Sequence, residues 1–194
     1  MLPMCLASVF AEIERVREAG REFDAEVVVV DNASTDKTRE EALKFSNVTV
    51  VSETLKGLVY ARRAGWVATD GRIVANLDAD TRMPRQWLER VLGEFERDQA
   101  LVALSGPYFY YDLPAWKRAL VTAFYFWGWL LHLLNHHVLG KGAMLQGGNF
   151  VLRREAWDAA GGFDTSITFY GEDTDVAKRI GRYGRVKWTW ALPM

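Results

Sequence analysis

Cysteine is almost absent from this chain: Cys5 is the single one among 194 residues. A disulfide framework and a cysteine-based zinc site are therefore excluded, and a reducing, cytoplasmic compartment is the simpler expectation. Net charge is also nearly absent. Lys and Arg number 24 against 25 Asp and Glu, for a formal charge of −1, so there is no electrostatic footprint for nucleic acid. The opening MLPMCLASVFAEIERVREAG lacks the basic segment and following apolar run of a secretory signal. No internal repeat or low-complexity tract occurs. A long apolar run is missing too, because the most apolar part of the chain, Ala119 to Leu131, is too short to span a bilayer. The length allows one domain with a sizeable core, residues 1–194, and excludes two comfortable ones.

What is present is an alternation of patterns. Leu6, Val9, Phe10, Ile13 and Val16 recur at helical spacing, with Gly20 where a C-terminal cap belongs. AEVVVVD, Ala25 to Asp31, is a short β-branched run expected of a strand buried on both faces. NASTDKTREEALKF then predicts a helix capped by Ser34 or Thr35 and carrying Leu43 and Phe45. NVTVVS reads as a strand, KGLVYARRAGWVATDG as a helix ended by Asp70-Gly71, and RIVANLD as a third strand. MPRQWLERVLGEFERD predicts a helix with Pro84 near its first turn and Trp87, Leu88, Val91, Leu92 and Phe95 along one face. ALVALSG is a fourth strand. Strands alternating with helices over short links predict an α/β domain, a mainly parallel mixed sheet flanked by helices. Ligands bind such sheets beyond the carboxyl ends of strands, where Asp31 and Asp78 both lie.

The second half differs. Ala119 to Leu139 carries no charged residue, Trp116, Lys117 and Arg118 precede it, Lys141 follows, and Trp127 and Trp129 lie in it. Residues 116–139 thus suit an aromatic helix lying in a membrane interface, with a buried helix packed on the sheet, and then a true span, as the alternatives. His132 and His136 share a helix face but have no acid nearby, which favours a packed or interfacial role over zinc. Trp66, Trp87, Trp116 and Trp157 are expected in the core, though Trp116 and Tyr108 to Tyr111 could instead line a binding cleft. Cys5 is expected to pack.

The chemistry concentrates in IVANLDADTRMP, Ile73 to Pro84, a strand running into Asp78 and Asp80. Two such carboxylates can hold a hard divalent cation, share a proton, or cap a turn. In an extended segment residues i and i+2 point the same way, so both can face one point. An EF-hand loop is excluded, because Thr81-Arg82 follows Asp80 where that loop needs an acid or amide and a glycine. Further acids stand in VVVVDNASTDKT, after QGGNFVLRREAWDAAGGFD, and in FYGEDTDVAKRIGRYG. Glu172, Asp173 and Asp175 could simply complement a helix dipole. Arg153-Arg154 could bind phosphate or mark a helix start at the surface.

In this order the pieces VVDNASTDKT, NLDADTRMP, GGNFVLRREAWDAAGGFD and GEDTD followed by Arg179 resemble the family 2 glycosyltransferases of the GT-A fold, over nearly all of the chain. The resemblance implies a nucleotide-sugar donor and a hydroxyl acceptor on a glycan or lipid-linked glycan. Asp31 matches the acid that binds the nucleobase, with Asn32 beside it. Asp78 and Asp80 match the Asp-x-Asp motif, where Asp80 would bind Mg²⁺ or Mn²⁺ on the diphosphate and Asp78 the ribose or sugar. Lys56, Arg62 and Gly148 fall among donor contacts. Asp173, paired with Glu172, matches the catalytic base. These residue types suit the reaction: the departing diphosphate needs a counter-cation, the acceptor hydroxyl needs a base, and one displacement with inversion needs no second carboxylate as nucleophile.

Relatives usually open with a buried strand and a nucleotide-contacting loop before the first helix, whereas this chain begins at that helix. It also stops soon after the Glu-Asp helix, before the segment that in relatives can carry a His metal ligand or a Gln-x-x-Arg-Trp motif. The expectation is a chain truncated at both ends, with one central strand missing from its sheet. Two other activities fit the same carboxylates: a sugar-phosphate nucleotidyltransferase and a non-catalytic binding module. The expected place is the cytoplasm, with peripheral contact at the inner face of the membrane.

Overall fold

The computed structural model describes residues 1–139, 144–167 and 171–194; the side chains of His132 and of residues 135–139 are also outside the description. The elements in order are α1 (Leu2–Glu18), β1 (Val27–Asn32), α2 (Thr38–Ala42), β2 (Val48–Glu53), α3 (Leu58–Val67), β3 (Ile73–Leu77), α4 (Trp87–Arg97), β4 (Leu101–Ser105), α5 (Ala115–Leu139), β5 (Asn149–Arg153), α6 (Arg154–Ala159), α7 (Glu172–Ile180) and β6 (Arg185–Trp188). Among the described residues, the strands form a parallel pair, β1-β2, and a mixed four-stranded sheet ordered β3-β5-β4-β6. The fold is α/β, as expected. Its mixed character comes from β5, which lies antiparallel to both β3 and β4, whereas β4 and β6 are parallel.

The two faces of the four-stranded sheet bury separate cores. On one face Val9 and Ile13 of α1 and Trp87, Val91 and Phe95 of α4 pack on Leu101, Leu104 and Val151. On the other, Trp66, Trp157, Val176 and Ile180 pack on Val102, Phe150 and Leu152. Simple alternation would not place Leu101 and Leu104 on the same face, but a register shift between Leu101 and Ala103 in the β4–β6 ladder does. Trp87 and Trp157 are fully enclosed and Trp66 is buried, as the sequence predicts. Trp116 is 62% exposed, so it is not a core residue.

Several local expectations need correction. β1 is half-buried along its whole length rather than enclosed on both faces, since its only ladder among the described residues is with β2. The helix expected from Ser34 or Thr35 shrinks to the five residues of α2, begun from Lys37, and Leu43 is exposed. Asp31 and Asp36 draw the preceding backbone into turns instead, accepting from the amides of Ser34 and Thr38. α4 starts at Trp87, after Pro84, because Gln86 adopts a left-handed φ of 71°. Arg153 and Arg154 are both engaged within the protein rather than marking a free surface pair. Arg153 donates to the Leu101 carbonyl and lies over Phe95; Arg154 donates to the carbonyls of Gly71 and Thr69 and lies over Trp66. Gly20 takes φ 81° just beyond α1, as a C-terminal cap requires.

α5 is anchored at Tyr125, which is buried against Trp188 and Trp190 with ring centroids 6.4 and 6.5 Å away. No helix among the described residues is long and apolar enough to cross a membrane.

The end of β4 is held to β5, α4 and the last residues by one amide. Asn149, with no solvent exposure, donates from Nδ2 to the carbonyls of Gly106 and Leu192, and its Oδ1 accepts from the indole N–H of Trp87. Asn149→Ala should cost about 2–4 kcal/mol of unfolding free energy, because the indole donor and the carbonyls stay buried without partners. Urea unfolding with an unchanged m-value reads it; a loss under about half a kcal/mol would show the amide to be dispensable.

Candidate active site

β3 ends at Leu77, and residues 78–81 form a turn rather than a continued extension. The Asp78 carbonyl closes it, accepting from the amide and the hydroxyl of Thr81 at 3.1 and 2.7 Å. The extended-segment argument for two carboxylates on one side therefore does not apply. The same closure settles which group makes the turn: Thr81 and a main-chain carbonyl, not the carboxylates. α1 supports it from below, with buried Cys5 directing its thiol at the Asp78 carbonyl and Ser8 accepting from the Met83 amide. Burial pushes the Cys5 thiol above its ordinary pKa, so it stays a neutral packed group.

The two carboxylates consequently separate. Asp78 turns inward. Its Oδ2 lies 3.0 Å from the Tyr108 hydroxyl, which is also 2.5 Å from the Gly147 carbonyl. Burial, and then the negative charge of Asp78, push the Tyr108 phenol far above its usual value, so the hydroxyl keeps its proton and serves as a donor. Asp80 is exposed and has no hydrogen bond or ion pair among the described residues. It lines a cleft with Ala79, Asp36, Lys37, Thr38 and Glu41, between the turn and the start of α2.

Gly147 and Gly148 bring the distant acids together. Gly148 has φ 71°, and a Cβ there would overlap Asp78 Oδ2 and the Tyr108 hydroxyl. From Gly147, a Cβ would lie 3.6 Å from Arg62 Nη2, 3.7 Å from Asp173 Oδ2 and 3.8 Å from Glu172 Oε1. Asp78, Asp173, Glu172 and Arg62 thus surround one glycine pair, although they come from the end of β3, from α7 and from α3. Glu172 and Arg62 form a pair at 2.6 Å with side chains 13% and 7% exposed, and the guanidinium lies over Phe150. This fastens the start of α7 to α3. Asp173 keeps Oδ2 toward the glycines while Oδ1 accepts from the Thr174 amide.

The remaining predicted residues lie on the β1–β2 side. Asp31, at the end of β1, uses Oδ1 to accept from Ser34. Asn32 is engaged within the protein: it donates to the Leu55 carbonyl and accepts from the Gly57 amide, both at 2.7 Å. It thereby shapes the loop that carries exposed Lys56. Two further residues have a part in this geometry. Lys37 has a readable signal, a cation inside the acid-bearing stretch VVVVDNASTDKT; Asn149 has none, since its role rests on long-range contacts, and Tyr108 is visible in sequence only as part of the aromatic run 108–111.

Among the described residues no three His, Cys, Asp or Glu converge as a closed metal cage. The free Asp80 carboxylate and its open cleft fit a hard cation bound by one or two carboxylates with the other ligands supplied by phosphate oxygens. His132 and His136 lie on α5, but their side chains are outside the described set.

A model of glycosyl transferase family 2 matches residues 1–160. The chain belongs to that family. The matched range contains Asp31, Asp78, Asp80 and Gly148, while the Glu172-Asp173 pair lies beyond it. The family 2 chain is 40% identical over 70 residues to Glycosyltransferase AglE of Haloferax volcanii, a match spanning 34% of this chain and 23% of that protein. Among solved structures it resembles glucosyl-3-phosphoglycerate synthase of M. tuberculosis, with TM-score 0.60 and 22% identity over 100% of this chain and 67% of that one. It also resembles the mannosyltransferase PcManGT from Pyrobaculum calidifontis, in complex with GDP-Man and Mn²⁺, with TM-score 0.62 and 22% identity over 96% of this chain and 52% of that one. S. aureus TarS 1-349 gives TM-score 0.65 at 16% identity, over 97% and 53% of the two chains. At these identities the likeness establishes the fold, which is GT-A.

The two glycines should respond differently to a methyl group. Gly148→Ala meets both a left-handed backbone and the Asp78 carboxylate, so it should cost about 1–3 kcal/mol of stability and displace the Asp78 carboxylate. Gly147→Ala makes ordinary contacts and should cost less than about 1 kcal/mol. Urea unfolding of the two variants reads this out; equal stability of the two would remove the special role given to Gly148.

Proposed function

We propose that this family 2 domain transfers a sugar from a UDP- or GDP-type nucleotide sugar to a hydroxyl on a glycan or lipid-linked acceptor, with inversion. The observation that supports this best is the meeting of Asp78 and Asp173 at Gly147–Gly148, with Asp80 unengaged beside an open cleft. Family membership favours sugar transfer over attack at phosphorus by a nucleotidyltransferase. The solved complexes of PcManGT with GDP-Man and Mn²⁺, and of the M. tuberculosis synthase with Mn²⁺, UDP and phosphoglyceric acid, lend the same direction.

In this proposal each residue has a separate role. Asp31 keeps one carboxylate oxygen for the nucleobase while Ser34 fixes the other. Asn32 holds the 53–57 loop so that Lys56 reaches the donor, and Lys37 faces the diphosphate across the cleft. Asp80, with Asp78 behind it, would hold Mg²⁺ or Mn²⁺, whose charge offsets that developing on the nucleoside diphosphate. Asp78, oriented by Tyr108, meets the ribose or sugar. Asp173 takes the proton of the acceptor hydroxyl as the new bond forms at the anomeric carbon. Glu172 takes no part in that proton transfer, because its ion pair with Arg62 holds the helix that presents Asp173. A base on the acceptor side and a departing diphosphate on the other is the arrangement of a single displacement.

Nucleoside diphosphate release from a panel of nucleotide sugars, with and without Mn²⁺, tests the proposal. Asp173→Asn should leave donor binding within about twofold and lower turnover roughly a hundredfold or more. Asp80→Asn should weaken donor binding in Mn²⁺ at least about tenfold and have little effect when no metal is added. Donor binding lost together with turnover in Asp173→Asn would count against the base assignment.

A further inference from the structure

α5 presents an apolar stripe that stays exposed among the described residues. Trp116, Leu120, Phe124, Trp127, Leu131 and Leu134 follow one another at steps of three and four, which aligns them along one side of the helix. Their exposures are 62, 62, 74, 62, 57 and 57%, far above what large apolar side chains show on an ordinary surface. The side through Tyr125 is held against Trp188 and Trp190, so the stripe faces away from the body of the protein. The body therefore takes the place of the polar face that an isolated interfacial helix would need.

Charge and residue type identify the occupant. Lys117 and Arg118 stand at the start of α5, the helix contains no Asp or Glu, and no acid occurs from Leu113 to Arg154. Parallel pairing with a second copy would bring these cations together with no acid to offset them. Anionic lipid headgroups offset them directly, while Trp and Phe are the side chains that settle at the headgroup–acyl boundary. Lys117 already lies over the Trp116 ring, 5.4 Å from its centroid, which gathers an aromatic and a cationic group at one end of the stripe. We propose that the α5 stripe is a docking surface for an anionic lipid bilayer, on which the helix lies flat. The exposed aromatic loop of Phe109, Tyr110 and Tyr111 leads from it to Tyr108, so the docked surface adjoins the acceptor side of the site. This goes beyond the transfer reading and does not depend on it, since docking is measured with no donor or acceptor present.

Flotation of the full chain with vesicles of phosphatidylcholine alone, or mixed with phosphatidylglycerol, tests it. The chain should float with the mixed vesicles, more weakly at high salt, and about tenfold less with phosphatidylcholine alone. Lys117→Glu with Arg118→Glu should weaken partition roughly thirtyfold or more. Phe124→Ser, Trp127→Ser and Leu131→Ser together should abolish it while leaving circular dichroism and donor binding intact, because all three are exposed. Three results would overturn the proposal: no flotation of folded protein with either vesicle, flotation unchanged by the triple substitution, or a dimer in sedimentation velocity that the triple substitution dissolves.

Discussion

The side-chain amide of Asn149 is the interaction on which the arrangement of the site depends. It sits at the first residue of β5, one position after the glycine pair, and binds the end of β4, the indole of α4 and the last turn of the chain at once. Its own carbonyl accepts from the buried Ser105 hydroxyl, and that hydroxyl accepts in turn from the Gln146 amide. Gly147 and Gly148 are thus enclosed between fixed points on both sides. An amide suits the place because it donates and accepts simultaneously where no water reaches, and a leucine of similar size would leave several polar groups stranded. Positions of Asp78, Tyr108 and Asp173 follow from where these glycines are held.

Much of this is legible in the chain because local signals agree. Periodicity locates α1, α4 and the strands, and the motifs locate Asp31, Asp78, Asp80 and Asp173 near strand or helix ends. What stays illegible depends on contacts between distant segments. A short strand such as Asn149–Arg153, with three apolar residues between an amide and a cation, carries no mark of direction, so the antiparallel placement of β5 between β3 and β4 cannot be read. Arg153 and Arg154 look like an anion site because charge is visible in sequence, whereas the carbonyls that engage them are not. The turn at 78–81 is hidden for a different reason. In sequence Thr81 marks only the absence of a calcium loop, and nothing there shows it as the donor that bends the chain back on Asp78.

The Arg62–Glu172 pair shows a comparable division. A nearly buried guanidinium with one carboxylate, stacked on Phe150, is a rigid joint between α3 and α7. Such a pair adds little net stability against its desolvation, but losing either member strands a charge, so it fixes geometry more than it strengthens the fold. The neighbouring Asp173 is left out of the joint and keeps Oδ2 toward the glycine pair. Two adjacent acids on one helix start therefore divide into one that fastens the helix and one that faces the glycines, the one proposed as base.

The turn closed by Thr81 has one more implication. Folding there draws on a hydroxyl, an amide and a main-chain carbonyl, and asks nothing of the Asp80 carboxylate. A side chain that the fold does not require is free to vary under selection for ligand alone. The scaffold can thus be inherited unchanged while the group at that position is exchanged, lost or regained. The architecture makes no demand on this one side chain, whereas it does on Asp78, tied to Tyr108 and pressed against Gly148.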